Sequence, residues 1–371
     1  VFLAIREIRR ARARFALLIA TIALLMFLIL TQQALQSGLV TAFVGAIERQ
    51  SAPVLVYSVD GQRTLQGSVI TPALEQEIAA VPGVAETGKI GQGTFTVSVD
   101  GADLSDAAII GYEKADLGAP ETLSAGRRPR SAGEAVGSAE DFSLGDRARI
   151  VTDDDGPVLR VVGLAENAQI QVTPTLFVAW PDYVAATRAV NPDAAAVLPS
   201  VIGARPAAGI DSDALAERIN RASAQADALT REQAARETPG VADVRNSFAV
   251  IFLLFALVVP LVSGLFFLII TLQKARALTL LRAIGAPSAV LVRSLLIQVL
   301  IVIGGGIVVG TVLFAPLSQA TVGGLSLRFD PGAVLLWAVL LLGLGILSAF
   351  AAAWRVLAID PFEATTGGGA R

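Results

Sequence analysis

FAVIFLLFALVVPLVSGLFFLIITL, residues Phe248–Leu272, is a 25-residue run without an Asp, Glu, Lys or Arg. A charge at the centre of a membrane helix costs roughly 2.5–3.5 kcal/mol on insertion scales, and about 20 apolar residues suffice to cross the hydrocarbon. The run therefore predicts a transmembrane helix. Outward from it, the charge-free territory covers 246–273, and the stretches 15–47, 294–327 and 331–354 share the property. Within them lie Phe15–Leu30 (FALLIATIALLMFLIL), Leu295–Ala315 and Ala333–Trp354. Buried helices of a soluble protein this long would be expected to carry a charged face, and these have none. The sequence thus predicts a membrane α-helical fold with four transmembrane helices, at 15–47 (span plus stalk), 246–273, 294–316 and 332–354.

Composition agrees. The 371 residues are 54% hydrophobic and 16% charged, with a mean hydropathy of +0.64, whereas soluble chains run near a quarter charged. Histidine and cysteine are both absent. That excludes His- or Cys-based triads, thiolate chemistry, disulfides and nearly every zinc site. No phosphate loop of the form G-x-x-x-x-G-K-[S/T] occurs, since the Gly88-Lys89 pair is followed by Ile90. We expect no catalytic residue, no metal site, no covalently bound cofactor and no nucleic-acid partner.

The first span has a basic leader and an apolar core, as a signal peptide does. Its core is too long for that, and Gln32, Gln33, Gln36 and Ser37 follow without a clean small-residue cleavage pattern. Leu35, Leu39, Phe43 and Ile47 recur every fourth residue, so the helix is expected to continue as a stalk, and the reading is an uncleaved anchor. Residues 1–14 form an amphipathic leader carrying Arg6, Arg9, Arg10, Arg12 and Arg14 against Glu7. The 274–293 loop carries Lys274, Arg276, Arg282 and Arg293 with no acid. By the excess of Lys and Arg, both should face the cytoplasm. Residues 48–245 hold 28 acidic and 17 basic residues, a net of −11, and should lie outside. The tail 355–371 returns to the cytoplasm, giving a multi-pass protein of the bacterial cell membrane with both termini inside.

The 48–245 insertion between the first two spans reads as an α+β domain. Strand-like runs occur at Val54–Val59, Phe95–Val99, Ala107–Tyr112, Ala148–Val151, Val158–Leu164 and Thr175–Trp180, with Asp-Gly turn signals at 60–61, 100–101 and 155–156. Helices are expected at Pro72–Ala80, capped by Thr71, and at Ser212–Ala226, with a capping box at Thr230–Gln233 opening a third. Val81–Glu86 (VPGVAE) and Thr238–Asp243 (TPGVAD) are alike, either as a weak repeat of helix-then-strand units or because Pro-Gly commonly stops helices. The Arg127–Arg130 and Asp153–Asp155 runs read as solvated loops. Gly304–Gly306 and Gly310 permit close helix approach, within one chain or between two. Pro260 is either a hinge or a static bend.

The stretch after the second span, Gln273–Pro287 (QKARALTLLRAIGAP), reads as a short helix with an apolar stripe, basic ends, Gly285 as a left-handed cap and Pro287 as a stop. An exposed apolar helix calls for a cover, which is either lipid head groups or a docked protein. TLLRAIGAP (Thr279–Pro287), together with Arg355–Ala364 (RVLAIDPFEA) after the last span, resembles the permease core of MacB/FtsX/LolCE-type ABC transporters. Residues 126–151, with Gly126-Arg127-Arg128-Pro129 and Leu144-Gly145-Asp146, are similar to that family's outer domain. The leader and the wording of 273–287 are closest to HrtB (haem exporter) and DevC-like permeases. Ala277 departs from the pattern, because many members carry Glu there.

The resemblance implies a homodimeric permease subunit that works with a separate ABC ATPase, two copies of which hold ATP and Mg. Coupling residues would be Leu278, Thr279, Leu280, Leu281, Arg282, Ala283, Ile284 and Gly285, with Arg6, Arg9 and Arg10 of the leader. The implied cargo is hydrophobic or amphipathic and is taken from the outer leaflet, with haem as one candidate. Without histidine, an iron ligand must be Tyr, Met or a carboxylate. Glu48, Tyr57, Glu237 and Asp243 are the reachable oxygens, while Met26 reads as core filling. Phe43, Phe248 and Phe252 can stack on a flat ligand or simply pack helices. The alternative is a mechanotransmission permease that moves an outer protein partner and exports nothing.

Overall fold

The computed structural model describes residues 12–152, 156–194, 196–283, 288–318, 321–322, 325–327 and 329–357. The chain divides into two compact units: one holds the described residues within 37–245 and 321–326, and the other those within 1–36, 246–320 and 327–371.

The first unit is an α+β domain. Its sheet comprises β1 (Val54–Ser58), β2 (Val84–Val99), β3 (Ser105–Tyr112), β4 (Ala125–Gly126), β5 (Glu134–Ser138), β6 (Arg147–Ile150), β7 (Val158–Ala165), β8 (Thr175–Ala179), β9 (Val201–Pro206) and β10 (Ala226–Thr230). The order is β10-β1-β9-β2-β3-β8-β5-β7-β4, with β6 bridging β2 and β7. Most pairings are antiparallel; β3–β8 and β5–β7 are parallel.

Alternation along each strand feeds two faces. Val54 and Val56 of β1 meet Leu74 and Ile78 of α2 (Pro72–Ala79) and Leu215 and Ile219 of α4 (Ser212–Ala222). On the same side of the sheet, Ala107 and Ile109 of β3 pack with Tyr183 and Ala186 of α3 (Trp180–Val190). Leu55 and Tyr57 point the other way. There they join Ile110, Phe177, the last turns of α1 (Arg12–Arg49), and Ala234 and Ala235 of α5 (Arg231–Glu237).

Local sequence sets the helix starts. The Thr71 hydroxyl accepts from the Leu74 N–H, and Thr230 with Gln233 forms the capping box expected from the sequence. Two readings need correction. The helix expected to reach Ala226 stops at Ala222, and residues 226–230 form β10 instead. The two Pro-Gly words lead into different structures: Val84 opens a strand and Val241 a helix. They are not matching helix-then-strand units.

The second unit is helical: residues 12–36 of α1, α6 (Val241–Ala283) from residue 246 on, α7 (Ser288–Leu317) and α8 (Pro331–Leu357). Among the described residues, three helices are long and apolar enough to cross a membrane, and Pro331–Leu347 is a shorter apolar stretch. Helix α6 runs without interruption across Pro260. Gly305, Gly306 and Gly310 of α7 face α1 of the same chain. A Cβ on Gly306 would sit 2.4 Å from Ile22 Cγ2, and one on Gly310 would sit 2.6 Å from the Ala23 carbonyl oxygen. Only glycine admits this crossing. Met26, wholly buried between these helices, fills core space as expected.

Candidate coupling segment and cargo-facing residues

Helix α6 has 43 residues, or about 64 Å at the helical rise, twice the roughly 30 Å hydrocarbon thickness. Residues 274–283, read from sequence as a separate short helix, continue α6 without a break. Leu278, Thr279, Leu280, Leu281, Arg282 and Ala283 thus form the C-terminal end of the same rod that carries the apolar run. Ile284 and Gly285, with Ala286 and Pro287, lie outside the described residues, as do Arg6, Arg9 and Arg10 of the leader. Helix α7 resumes at Ser288.

The proposed cargo-facing residues separate into two groups. Phe248 and Phe252 belong to the helical unit. Their rings lie 6.4 Å apart, and Phe252 lies 5.2 Å from Trp337 of α8. The Trp337 indole N–H donates to Gln33 Oε1 of α1 at 3.4 Å. Trp337 is only 7% exposed and belongs to the helical core, so the three rings form an apolar column whose inner end is buried on the Gln33 amide, with Phe248 and Phe252 half-buried. Trp337 is not legible from the sequence, because a lone tryptophan in an apolar helix reveals nothing about the helix it faces.

Phe43, Glu48, Tyr57 and Glu237 belong to the α+β domain. Tyr57, read from sequence as a reachable oxygen, is wholly buried in β1, and its hydroxyl has no hydrogen-bond partner. It is a core residue, and burial together with the nearby Asp227 carboxylate raises its pKa far above the ordinary phenol value. Glu237 is also committed, because its carboxylate pairs with Arg63. The same guanidinium pairs with Asp227, Nε to Oδ2, at 2.7 Å. That bond to Asp227 is the main reason the Arg63 pKa is raised. Phe43 is half-buried beside Gly240, where a Cβ would lie 3.5 Å from its Cζ. Gly240 has φ +89, a backbone that also favours glycine. Glu48 is exposed. Asp243, the remaining proposed oxygen, is exposed as well.

The last turns of α1 are held unusually tightly. The Ala46 N–H donates to the Gln169 carbonyl, and the Phe43 and Ala42 carbonyls accept from Gln171 and Val172, at 2.8–3.0 Å. To make these bonds Gln171 and Val172 take φ of 53 and 59. That is a costly backbone for a β-branched residue, held by its surroundings. Gly45 allows the approach, since a Cβ there would sit 2.2 Å from the Asn167 carbonyl oxygen.

Residues 248–361 match the model of the FtsX-like permease C-terminal domain. Two relatives, uncharacterized ABC transporter permeases from two strains of Mycobacterium tuberculosis, are each 23% identical over 373 residues, covering 99% of this chain and 99% of the relative. Among solved structures, the periplasmic region of MacB from Actinobacillus actinomycetemcomitans aligns with 50% of this chain and 91% of its own, at 10% identity and a TM-score of 0.36. The extracellular domain of the transporter YknZ from Gram-positive bacteria aligns with 48% of this chain and 99% of its own, at 10% identity and a TM-score of 0.33. By the family match over 248–361 and the two full-length relatives, the chain is similar to ABC transporter permeases of the FtsX/MacB type.

Proposed function

We propose that the chain is an ABC transporter permease with four spans, an extracytoplasmic α+β domain between the first two, and both termini in the cytoplasm, and that it exports an amphipathic cargo as a homodimer. A separate ABC ATPase docks on 278–285 and on the basic leader. The observation that carries this reading is the continuity of α6, which joins the span-two run to the basic Lys274–Arg282 end in one helix. A force applied at that end acts on a rod and not on a flexible loop. Differential contact with the ATPase in its two nucleotide states then biases the rod's position.

The cargo reading rests on the Phe248–Phe252–Trp337 column, which suits a flat apolar molecule. For haem the candidate iron ligands narrow to the exposed carboxylates Glu48 and Asp243, since Tyr57 is buried and Glu237 is paired. The mechanotransmission alternative draws its support from the backbone bonds that fasten residues 42–46 of α1 to the domain.

The docking reading is tested with Leu281→Glu/Ile284→Glu. The double variant should insert normally and lose co-purification with the ATPase. Undiminished co-purification would overturn the docking site. Titrating the purified complex with haem separates the cargoes: an absorbance shift that Glu48→Ala or Asp243→Ala abolishes is expected for haem, and no shift favours a different amphipathic cargo or the mechanotransmission role.

A further inference from the structure

The end of α1 and the start of α6 enter the α+β domain at sequence positions almost 200 residues apart, yet one short helix touches both. Helix α5 begins at Arg231, whose guanidinium Nη1 donates to the Gln50 carbonyl and to Glu121 Oε2, each at 2.7 Å. Gln50 directly follows the last residue of α1. The Glu121 N–H in turn donates to the Arg49 carbonyl at 2.8 Å. The backbone N–H of Arg231 donates to the Pro53 carbonyl at 3.1 Å. Carbonyls at a helix C-terminus lack intrahelical donors, and here a cation and a backbone amide supply them. The far end of α5 is Glu237, paired with Arg63. Three residues on, Gly240 sits against the Phe43 ring, and Val241 starts α6.

We infer that Arg231, with Glu121, is the joint that makes the last turn of α1, helix α5 and the first turn of α6 one rigid body. This rests on the permease reading above, in which displacement reaches the domain along α1 and α6. With the joint closed, a movement of either helix root carries the other and shifts the β10–β1 edge with them. With it open, the two roots move independently. Arg231 is only partly buried, its side chain 31% exposed. The joint's rigidity therefore comes from the two bonds made by Nη1 together with the backbone bond of the same residue to Pro53, more than from the single ion pair.

The absence of cysteine makes the test direct. Arg49→Cys and Arg236→Cys, both at exposed positions, supply the only thiols for a spin-label pair in the full-length chain held in lipid nanodiscs. The expected result is one narrow distance distribution, the same with the ATPase bound in the nucleotide-free and the vanadate-trapped state. Arg231→Ala should broaden it and make it differ between those states, and Arg231→Lys should do so less. Exchange of the Ser51 and Glu121 amides should rise roughly tenfold in Arg231→Ala, with core amides of β2 and β9 still protected as the fold control. A wild-type distance that shifts between the two states would overturn the joint. So would an Arg231→Ala distribution as narrow as wild type. If the ATPase fails to bind the wild-type chain, the permease–ATPase reading falls, while the comparison of Arg231→Ala with wild type in the permease alone still decides the joint.

Discussion

The α+β domain and the helical unit bury the same residue types and present opposite surfaces. In the domain, Phe177, Ile109 and Leu159 are at most 1% exposed, and the outer positions of β6 and β7 carry Arg147, Arg149 and Arg160. In the helical unit, Leu253, Leu261 and Leu336 are 62–69% exposed. Water rewards the first arrangement and penalises the second, because apolar area left in water costs about 25 cal/mol per Å². Hydrocarbon removes that penalty, and what holds the helices together there is close contact, as at Gly306 and Gly310 against α1. The lesson is that exposure has no fixed meaning along this chain; it depends on which solvent a segment meets.

The comparison can be broken most forcefully from the inside of the domain. Phe177→Ala should destabilise it by about 3–5 kcal/mol, read as a lowered midpoint in thermal unfolding of the purified chain. A shift within error would mean that the sheet's second face is not a packed core. Next in size is the same change made on both surfaces. Leu253→Arg should cost roughly 2.5–3.5 kcal/mol of membrane insertion, seen as loss of membrane-integrated protein after alkaline extraction. Leu104→Arg, at a position 63% exposed in the β2–β3 turn, should change stability by no more than about 0.5 kcal/mol. Equal tolerance at both sites would erase the distinction between the two units. The smallest expected loss of stability sharpens the picture at the sheet edge. Asn220 of α4 accepts from the Ala228 N–H at 2.6 Å and donates to its carbonyl at 2.9 Å, blocking the outer side of β10. Asn220→Ala should cost about 1–3 kcal/mol and increase self-association, checked by unfolding and by light scattering.

Much of the architecture was legible because membrane helices announce themselves by what they lack. No charge interrupts Phe248–Leu272, and no tertiary knowledge was needed to read it. The strands were harder. Strand β2 runs from Val84 to Val99, but only Phe95–Val99 had a strand-like pattern. Gly91 and its cross-strand neighbour Gly111 lie under the Tyr183 ring of α3, where a Cβ on either would come 2.4 Å from a ring carbon. Their glycines serve a packing contact from a distant helix, and in isolation they read as loop. Strands β5, β9 and β10 (EAVGS, VIGARP, ADALT) are short and rich in Ala and Gly, with little intrinsic strand preference. Their neighbours in the sheet hold them.

The site followed the same division. The apolar and basic wording of 273–285 was readable, and so was Phe252, but not Trp337 of another helix beside it. Tyr57 misled because a tyrosine near a span end looks available, and only its place in β1, pointing into the second face, shows it is not. Arg231 stood out in the sequence only as part of a capping box. Its contacts to Gln50 and Glu121 depend on two chain segments that meet nowhere but in the fold.

Sidedness tests the central claim most directly. Ala283→Cys, at the end of α6, and Gly101→Cys, in the β2–β3 turn where a Cβ meets nothing within 4 Å, are each the single thiol of their variant. In intact cells or spheroplasts, a membrane-impermeant maleimide should label Gly101→Cys, and should label Ala283→Cys only after the membrane is opened, with ATPase bound to the permease slowing that second reaction. Labelling of Ala283→Cys in sealed cells, at a rate like that of Gly101→Cys, would contradict the account.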